Sequence, residues 1–361
     1  MEEKGKKGRM DYTLLLIVVL LVVIGLVILY STSAYNGQVK FHDSFYYLKK
    51  QAFATVLGIV LMLFVAGMDY HIWQRLAVFG YLAAVALSVA VMLFGREING
   101  SKRWLALGPF SFQPSEFAKV ALILFLADLV TKNVKTIGKM WTLCRIMFWI
   151  LPIVGLVGAS NLSTAIIILG IGVILIFVAS PKYAQFALMG IAGACFMGIF
   201  LALESYRLER LAIWRNPEKY EKGYQTLQGL YAIGSGGVFG VGIGNSVQKL
   251  GFVPEAQNDM IFSIICEELG LAGAGIIVFL FLLLIWRFFL IASGSRDFFG
   301  ALIATGAMAH MMIQVILNIA VVTNTIPNTG ITLPFISYGG TSVMFLLIEM
   351  GLVLSVSQVV D

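Results

Sequence analysis

Residues 223–270 read GYQTLQGLYAIGSGGVFGVGIGNSVQKLGFVPEAQNDMIFSIICEELG. They lie between two long apolar blocks and follow neither block's pattern. Ser-Gly-Gly and Gly-x-Gly turns come first, then Pro254-Glu255, then Asp259 just ahead of the next apolar run. A carboxylate at the lip of a membrane helix, fed by a Gly-rich loop, is costly unless it performs a task. The rest of the chain reads as a frame for this loop.

That frame is apolar. Of 361 residues, 59% are hydrophobic and 12% charged, about half the charge share of a soluble domain. Repeated apolar runs of about 18 residues or more span the hydrocarbon core as helices. The expected fold class is therefore an all-α polytopic membrane protein, one domain over residues 1–361, and water-soluble classes are excluded. The hydropathy pattern predicts ten transmembrane helices at 12–33, 47–68, 74–94, 115–131, 146–159, 161–180, 184–203, 260–290, 299–323 and 336–358. A large extracellular loop, 204–259, separates the seventh from the eighth. The fifth span is the weakest, cut by Pro152.

Charge sets the orientation. Lys4, Lys6, Lys7, Arg9, Arg75, Lys132, Lys135, Lys139, Arg145, Lys182, Arg287 and Arg296 fall on one side, which the positive-inside rule makes cytoplasmic, together with both termini. Loops 95–114, 204–259 and 324–335 then open outside, each with turn chemistry. The net charge of +6 gathers near helix ends, so no nucleic-acid partner is expected. Cys144, Cys195 and Cys266 lack paired spacing, which argues against disulfides or a metal site. The basic amino terminus precedes a span too long for a signal-peptide core and is expected to be retained.

Several residues carry possible chemistry. Asp259 reads either as a helix N-cap or as a general base or metal-ligating carboxylate facing an outer cleft. Glu255 joins it or orients the loop. Glu116 and Lys119, three apart at the start of the fourth span, share a helix face and suit an internal ion pair or the floor of a polar cavity. Lys102 and Arg103 precede them; Arg103 could, with Lys119, hold a phosphate, or else Lys102 and Arg103 bind lipid headgroups. The Gly-rich piece lacks the Lys-Ser/Thr of a nucleotide loop and fits irregular backbone lining a wet cavity. Glu267 and Glu268 cannot both face lipid, so one is expected to point inward. His310, Gln314 and Asn318 form a polar stripe that suits interhelical hydrogen bonding, and Glu349 is ambiguous. A transporter and a membrane enzyme both remain open, and charge in outer loops rather than at mid-membrane favours the enzyme.

The motifs resemble a family. Asn99-Gly100-Ser101-Lys102-Arg103-Trp104, Gln113-Pro114-Ser115-Glu116-Phe117-Ala118-Lys119, Gly223-Tyr224-Gln225, Pro254-Glu255-x-x-x-Asp259, Glu267-Glu268-Leu269-Gly270 and Leu333-Pro334-Phe335-Ile336-Ser337-Tyr338-Gly339-Gly340 together resemble the bacterial SEDS (shape, elongation, division and sporulation) proteins, the FtsW/RodA/SpoVE family. The resemblance covers essentially the whole chain. It implies a peptidoglycan glycosyltransferase in division or cell-shape maintenance, polymerising lipid II (a disaccharide-pentapeptide on undecaprenyl diphosphate) at the outer membrane face with inversion. The family's aspartate, its presumed catalytic base, falls on Asp259. Arg103, Lys119, Glu116, Lys102, Glu255, Gln225 and Ser337 are the substrate-binding residues it implies. It also implies a class B penicillin-binding protein transpeptidase as partner, among other divisome or elongasome proteins. A divalent cation, Mg or Mn, is associated with the activity, although the sequence shows no dedicated metal cage and no certain cofactor. Two departures stand out: Gln257-Asn258 where many relatives have His-Thr, and Asn161-Leu162-Ser163-Thr164 where many have an aspartate. A lipid II flippase and a non-catalytic scaffold are the alternative functions.

Overall fold

The computed structural model describes residues 9–98, 101–107, 110–187, 190 and 211–360. Helices α1 (Tyr12–Phe41), α2 (Tyr46–Gly67) and α3 (His71–Phe94) lead to short strands β1 (Arg96–Ile98), β2 (Ser101–Leu107) and β3 (Phe110–Phe112). Then come α4 (Pro114–Asn133), α5 (Met140–Ser160), α6 (Leu162–Ala179), α7 (Tyr224–Ser235), α8 (Ile261–Gly294), α9 (Phe298–Val322) and α10 (Gly340–Ser357). Eight of these helices are long and apolar enough to cross a membrane, and the chain is a multi-pass membrane protein. Large apolar side chains such as Phe64, Phe79 and Phe279 stand exposed on the outer faces, where lipid replaces water as their solvent.

Helix α4 is not among the eight, because it carries Glu116, Lys119, Asp128 and Lys132. It is nonetheless the axis of the bundle. It packs on α3, α5, α6, α9 and α10, and thirteen further residues between Pro114 and Val130 are buried with Glu116. Its buried charges are tolerable because each has a polar partner: Asp128 takes a hydrogen bond from Gln74 at 2.9 Å and pairs with the exposed Lys132 at 2.6 Å. Polar caps fix helix starts. Asn161 accepts the Thr164 amide at 3.2 Å, Asp297 that of Gly300 at 2.8 Å, and Asp11 that of Leu14 at 2.9 Å while also pairing with Arg287 of α8.

Helix α8 is broken at Gly270, whose φ of 67° and ψ of −169° leave the helical region. Only glycine takes that conformation without strain. The break lets residues 237–242 lie alongside 267–272. The Val241 and Gly242 amides donate to the Glu267 and Glu268 carbonyls, and the Leu271 and Ala272 amides to Gly237 and Val238, all at 2.9 Å. Irregular backbone thus satisfies itself beside a membrane helix, as it must away from water.

The structure corrects several expectations. Loop 95–114 is not a run of turns but holds a small antiparallel sheet in the order β1-β2-β3, set on an otherwise helical membrane fold. Asn99-Gly100, a strong hairpin pair, was the available signal. The first span runs on to Phe41 and the fifth covers Met140–Ser160 with Pro152 inside it. The last begins at Gly340 rather than 336, which leaves Ser337 and Tyr338 in the preceding loop. Loop 204–259 contains α7. The seventh span, 184–203, lies largely outside the described residues, as do 204–210 of that loop.

Candidate functional site

Asp259 is not an N-cap. Helix α8 is capped at Met260, and no side chain caps it. Instead a tight loop presents the aspartate. Glu255 sits at φ 53°, its carbonyl accepts the Asn258 amide at 2.9 Å, and the Asn258 side-chain amide donates to its carboxylate. Four further elements hold this loop. Asn36 of α1 donates to Gln257 Oε1 at 3.1 Å, and the Tyr338 amide to the Gln257 carbonyl at 2.9 Å. Gln225 of α7 donates to the Pro254 carbonyl at 3.2 Å and accepts from Asn328 at 3.1 Å. Asn318 of α9 donates through Nδ2 to the carbonyls of Asp259 at 2.9 Å and Ile331 at 2.7 Å. Position 257, where a titratable neighbour is missing, is therefore a buried joint.

The carboxylate itself faces loop 324–335. A β-carbon built on Gly330 would stand 3.9 Å from Asp259 Oδ2, and Gly330 has φ 70°, so this close backbone favours glycine on conformation. Asp259 is 9% exposed, and among the described residues no lysine or arginine pairs with it. Burial pushes its carboxyl from the usual carboxylate range up to about 7, and the negative charge of Glu255 adds to this. The amides of Asp259 itself and Met260 pull the other way. Desolvation without a counter-ion is the arrangement that turns an acid into a base poised near neutral pH.

The expected cations, Lys119 and Arg103, lie in different environments, and the cavity that Arg103 lines includes neither Asp259 nor Lys119. Lys119 is 2% exposed and pairs with Glu116 at 3.1 Å; its Nζ also donates to Gln314 at 3.2 Å, while Ser342 donates to Glu116 at 2.9 Å. The internal ion pair anticipated for these two residues is what the bundle contains. Arg103, on β2, donates through Nε to the Ser160 carbonyl at 3.0 Å and lines a small cavity with Ser115 and Asn161. Three residues on from Ser160, Ser163 donates to the Thr329 carbonyl at 2.8 Å, which ties this corner to the segment over Asp259. Lys102 is exposed and stands opposite Glu97 in the strand register. Ser337 is buried, and its hydroxyl accepts the Leu333 amide at 2.8 Å as part of a turn. Among the described residues no three His, Cys, Asp or Glu side chains converge on a metal site.

Both glutamates of the Glu267-Glu268 pair point inward, not one. Glu267 accepts from Ser246 and from the Val247 amide at 3.1 Å. Glu268 pairs with Lys249 at 2.6 Å and accepts from Ser31 of α1 at 2.7 Å. Lys249 and Ser31 had drawn no attention in the sequence; only the odd cost of a lysine in an apolar stretch could have signalled the first.

The site sits at one end of the bundle. Asp259 precedes α8, whereas Arg287 meets the amino-terminal cap of α1 about 40 Å further along that helix at 1.5 Å per residue. Family comparison agrees with this architecture: the family of FtsW, RodA and SpoVE, described as cell cycle protein, matches residues 12–361. The chain belongs to the FtsW/RodA/SpoVE family. Within this SEDS family it is similar to the stage V sporulation protein E of Bacillus subtilis, at 39% identity over 98% of each chain. A probable peptidoglycan glycosyltransferase FtsW of Trichlorobacter lovleyi is 35% identical over 96% of this chain and 93% of its own. Among solved structures, a chain from a study of how a peptidoglycan synthase complex coordinates polymerization and crosslinking superposes with a TM-score of 0.83 at 29% identity, covering 96% of this chain and 97% of that one. Rod shape determining protein RodA of Thermus thermophilus gives 0.73 at 28% identity, covering 96% of both.

Proposed function

We propose that this SEDS protein is an inverting peptidoglycan glycosyltransferase that polymerises lipid II, with Asp259 as the general base. The observation that carries this reading is a buried carboxylate without a counter-ion among the described residues, its pKa raised to about 7, fixed by its own backbone and presented beside Gly330. In the proposed step, the Asp259 carboxylate takes the proton from the acceptor sugar hydroxyl. The resulting oxygen attacks the anomeric carbon of the donor, and the bond to the diphosphate breaks with undecaprenyl diphosphate leaving. One base and a good leaving group suffice, with no carboxylate nucleophile. Arg103 is the proposed diphosphate contact, Lys119 adds charge from the cavity floor where Glu116 positions it, and Lys102 meets headgroups or substrate at the rim. Glu255, Gln225 and Ser337 shape the acceptor side by holding the loops. Should a divalent cation bind, Asp259 and Glu255 are the carboxylates nearest the reaction, and the cation would offset charge on the diphosphate.

The remaining features follow the same reading. The chain crosses the bacterial cytoplasmic membrane ten times, with α4 and the span at 184–203 completing the eight apolar helices, and both termini are cytoplasmic. Asp259 then opens to the outside, where lipid II and a class B penicillin-binding protein transpeptidase meet it. The deciding experiment is polymerisation of purified lipid II by the full chain with its transpeptidase. Asp259→Asn should slow glycan formation by about 10²–10⁴ while still folding and binding the partner. Glycan at the wild-type rate contradicts the reading and returns the protein to the flippase or scaffold class.

A further inference from the structure

Behind the proposed site, α9 and α10 share a buried dyad that the proposed chemistry does not use. His310 and Glu349 are each 1% exposed, and His310 Nδ1 lies 2.8 Å from Glu349 Oε2. His310 Nε2 lies 2.9 Å from Gln314 Oε1. That oxygen also accepts from Lys119 at 3.2 Å, while Gln314 Nε2 donates to the Thr332 carbonyl at 3.0 Å.

These contacts fix the protons. An ammonium paired with Glu116 can only donate, and a backbone carbonyl can only accept. Gln314 therefore has its oxygen toward Lys119 and its NH2 toward Thr332; the flipped amide would place donor against donor and acceptor against acceptor. His310 Nε2 faces that same oxygen, so Nε2 carries a hydrogen. One further proton must then lie between Nδ1 and Glu349, on either partner, which makes the dyad neutral overall and bearable at this depth.

We propose that His310 and Glu349 are a positioning dyad for the reaction centre, acting through Gln314. Resting on the glycosyltransferase reading above, it works as follows. The His310 Nε2–H group holds the Gln314 oxygen, and Gln314 in turn holds both the Lys119 ammonium and the segment containing Thr332. That segment carries Gly330 beside Asp259, and one helical turn further along α9 Asn318 grips Ile331 and Asp259 themselves. Glu349 has no other polar partner among the described residues, so its effect passes through His310.

Three measurements on the full chain with its transpeptidase test this. Removing His310 alone strands a buried carboxyl and can unfold the protein, so the informative change is the double His310→Leu, Glu349→Leu, which leaves no titratable group at the dyad's position. Its thermal midpoint should stay within a few degrees of wild type while kcat for lipid II polymerisation falls about tenfold or more with KM nearly unchanged. Glu349→Gln should retain kcat within about threefold, because its NH2 donates to Nδ1 and leaves Nε2–H in place. The third is 15N NMR of histidine-labelled protein, which contains only three histidines; His310 should show a protonated Nε2 in wild type and in Glu349→Gln. A double variant that turns over within twofold of wild type, or a His310 with bare Nε2, overturns the proposal. If the double variant fails to fold, the Nε2 signal and the Glu349→Gln rate decide alone. The tautomer is read without turnover, so it stands apart from the outcome at Asp259.

Discussion

Three carboxylates lie within ten residues at the start of α8, and they are treated in opposite ways. Glu267 and Glu268 are buried and fully engaged, the first by a hydroxyl and backbone amides, the second by Lys249 and Ser31. Asp259 is buried with no cation among the described residues, and its carboxyl is raised to about 7. Residues 236–251 are a clasp, closed by carboxylates that have their partners. Residues 252–260 hold their backbone just as firmly but leave the side chain unpaired. A buried charge with partners holds structure; one denied a partner stays available to react.

The sharpest way to break this contrast is Asp259→Asn. Removing a general base should cost about 10²–10⁴ in rate, measured as lipid II turnover. The same change should stabilise the fold at pH 8. The folded-state pKa of Asp259 lies above its ordinary value of 3.8, so its contribution to stability is full below that value and is lost as pH rises through about 7. Thermal unfolding at pH 3.5, pH 5 and pH 8 should show the variant's advantage growing with pH, smallest at pH 3.5 and largest at pH 8. Next comes the clasp. Lys249→Ala leaves Glu268 buried without its cation and should destabilise by about 3–5 kcal/mol, seen as a lower thermal midpoint, whereas Lys249→Met with Glu268→Leu should recover most of it. Gly330→Ala comes third: its left-handed backbone should cost about 1–2 kcal/mol and several-fold in turnover, because the segment over Asp259 shifts. Smallest is Glu255→Gln. It removes a negative charge that raises the Asp259 carboxyl, so the acid limb of the pH–rate profile should move down by a few tenths of a pH unit.

The two regions also differed in how legible they were. Turn residues and Asp259 marked the base loop from sequence, because a lone carboxylate before an apolar run has few harmless explanations. The N-cap reading failed because the helix begins one residue later than hydropathy suggested, a difference only backbone geometry resolves. The clasp was half visible: two adjacent glutamates announced a buried charge, but Ser31 lies 237 residues from Glu268, and no periodicity reports such a contact. Helix α4 was found by its apolar length, yet its place at the centre follows from neighbours on five helices, α3, α5, α6, α9 and α10. The sheet of β1–β3 carries little signal because β1 and β3 have three residues each and only β2 reaches seven, too little alternation to register.

The raised carboxyl is the premise on which the reaction rests, and it can be read without turnover. Infrared difference spectra of wild type minus Asp259→Asn, taken across pH 3–9, isolate the protonated carbonyl band of this one side chain. The expected result is a band that persists through pH 6 and disappears with a midpoint near 7. A midpoint near 4 would mean an ordinary, solvated aspartate and would contradict the proposed base.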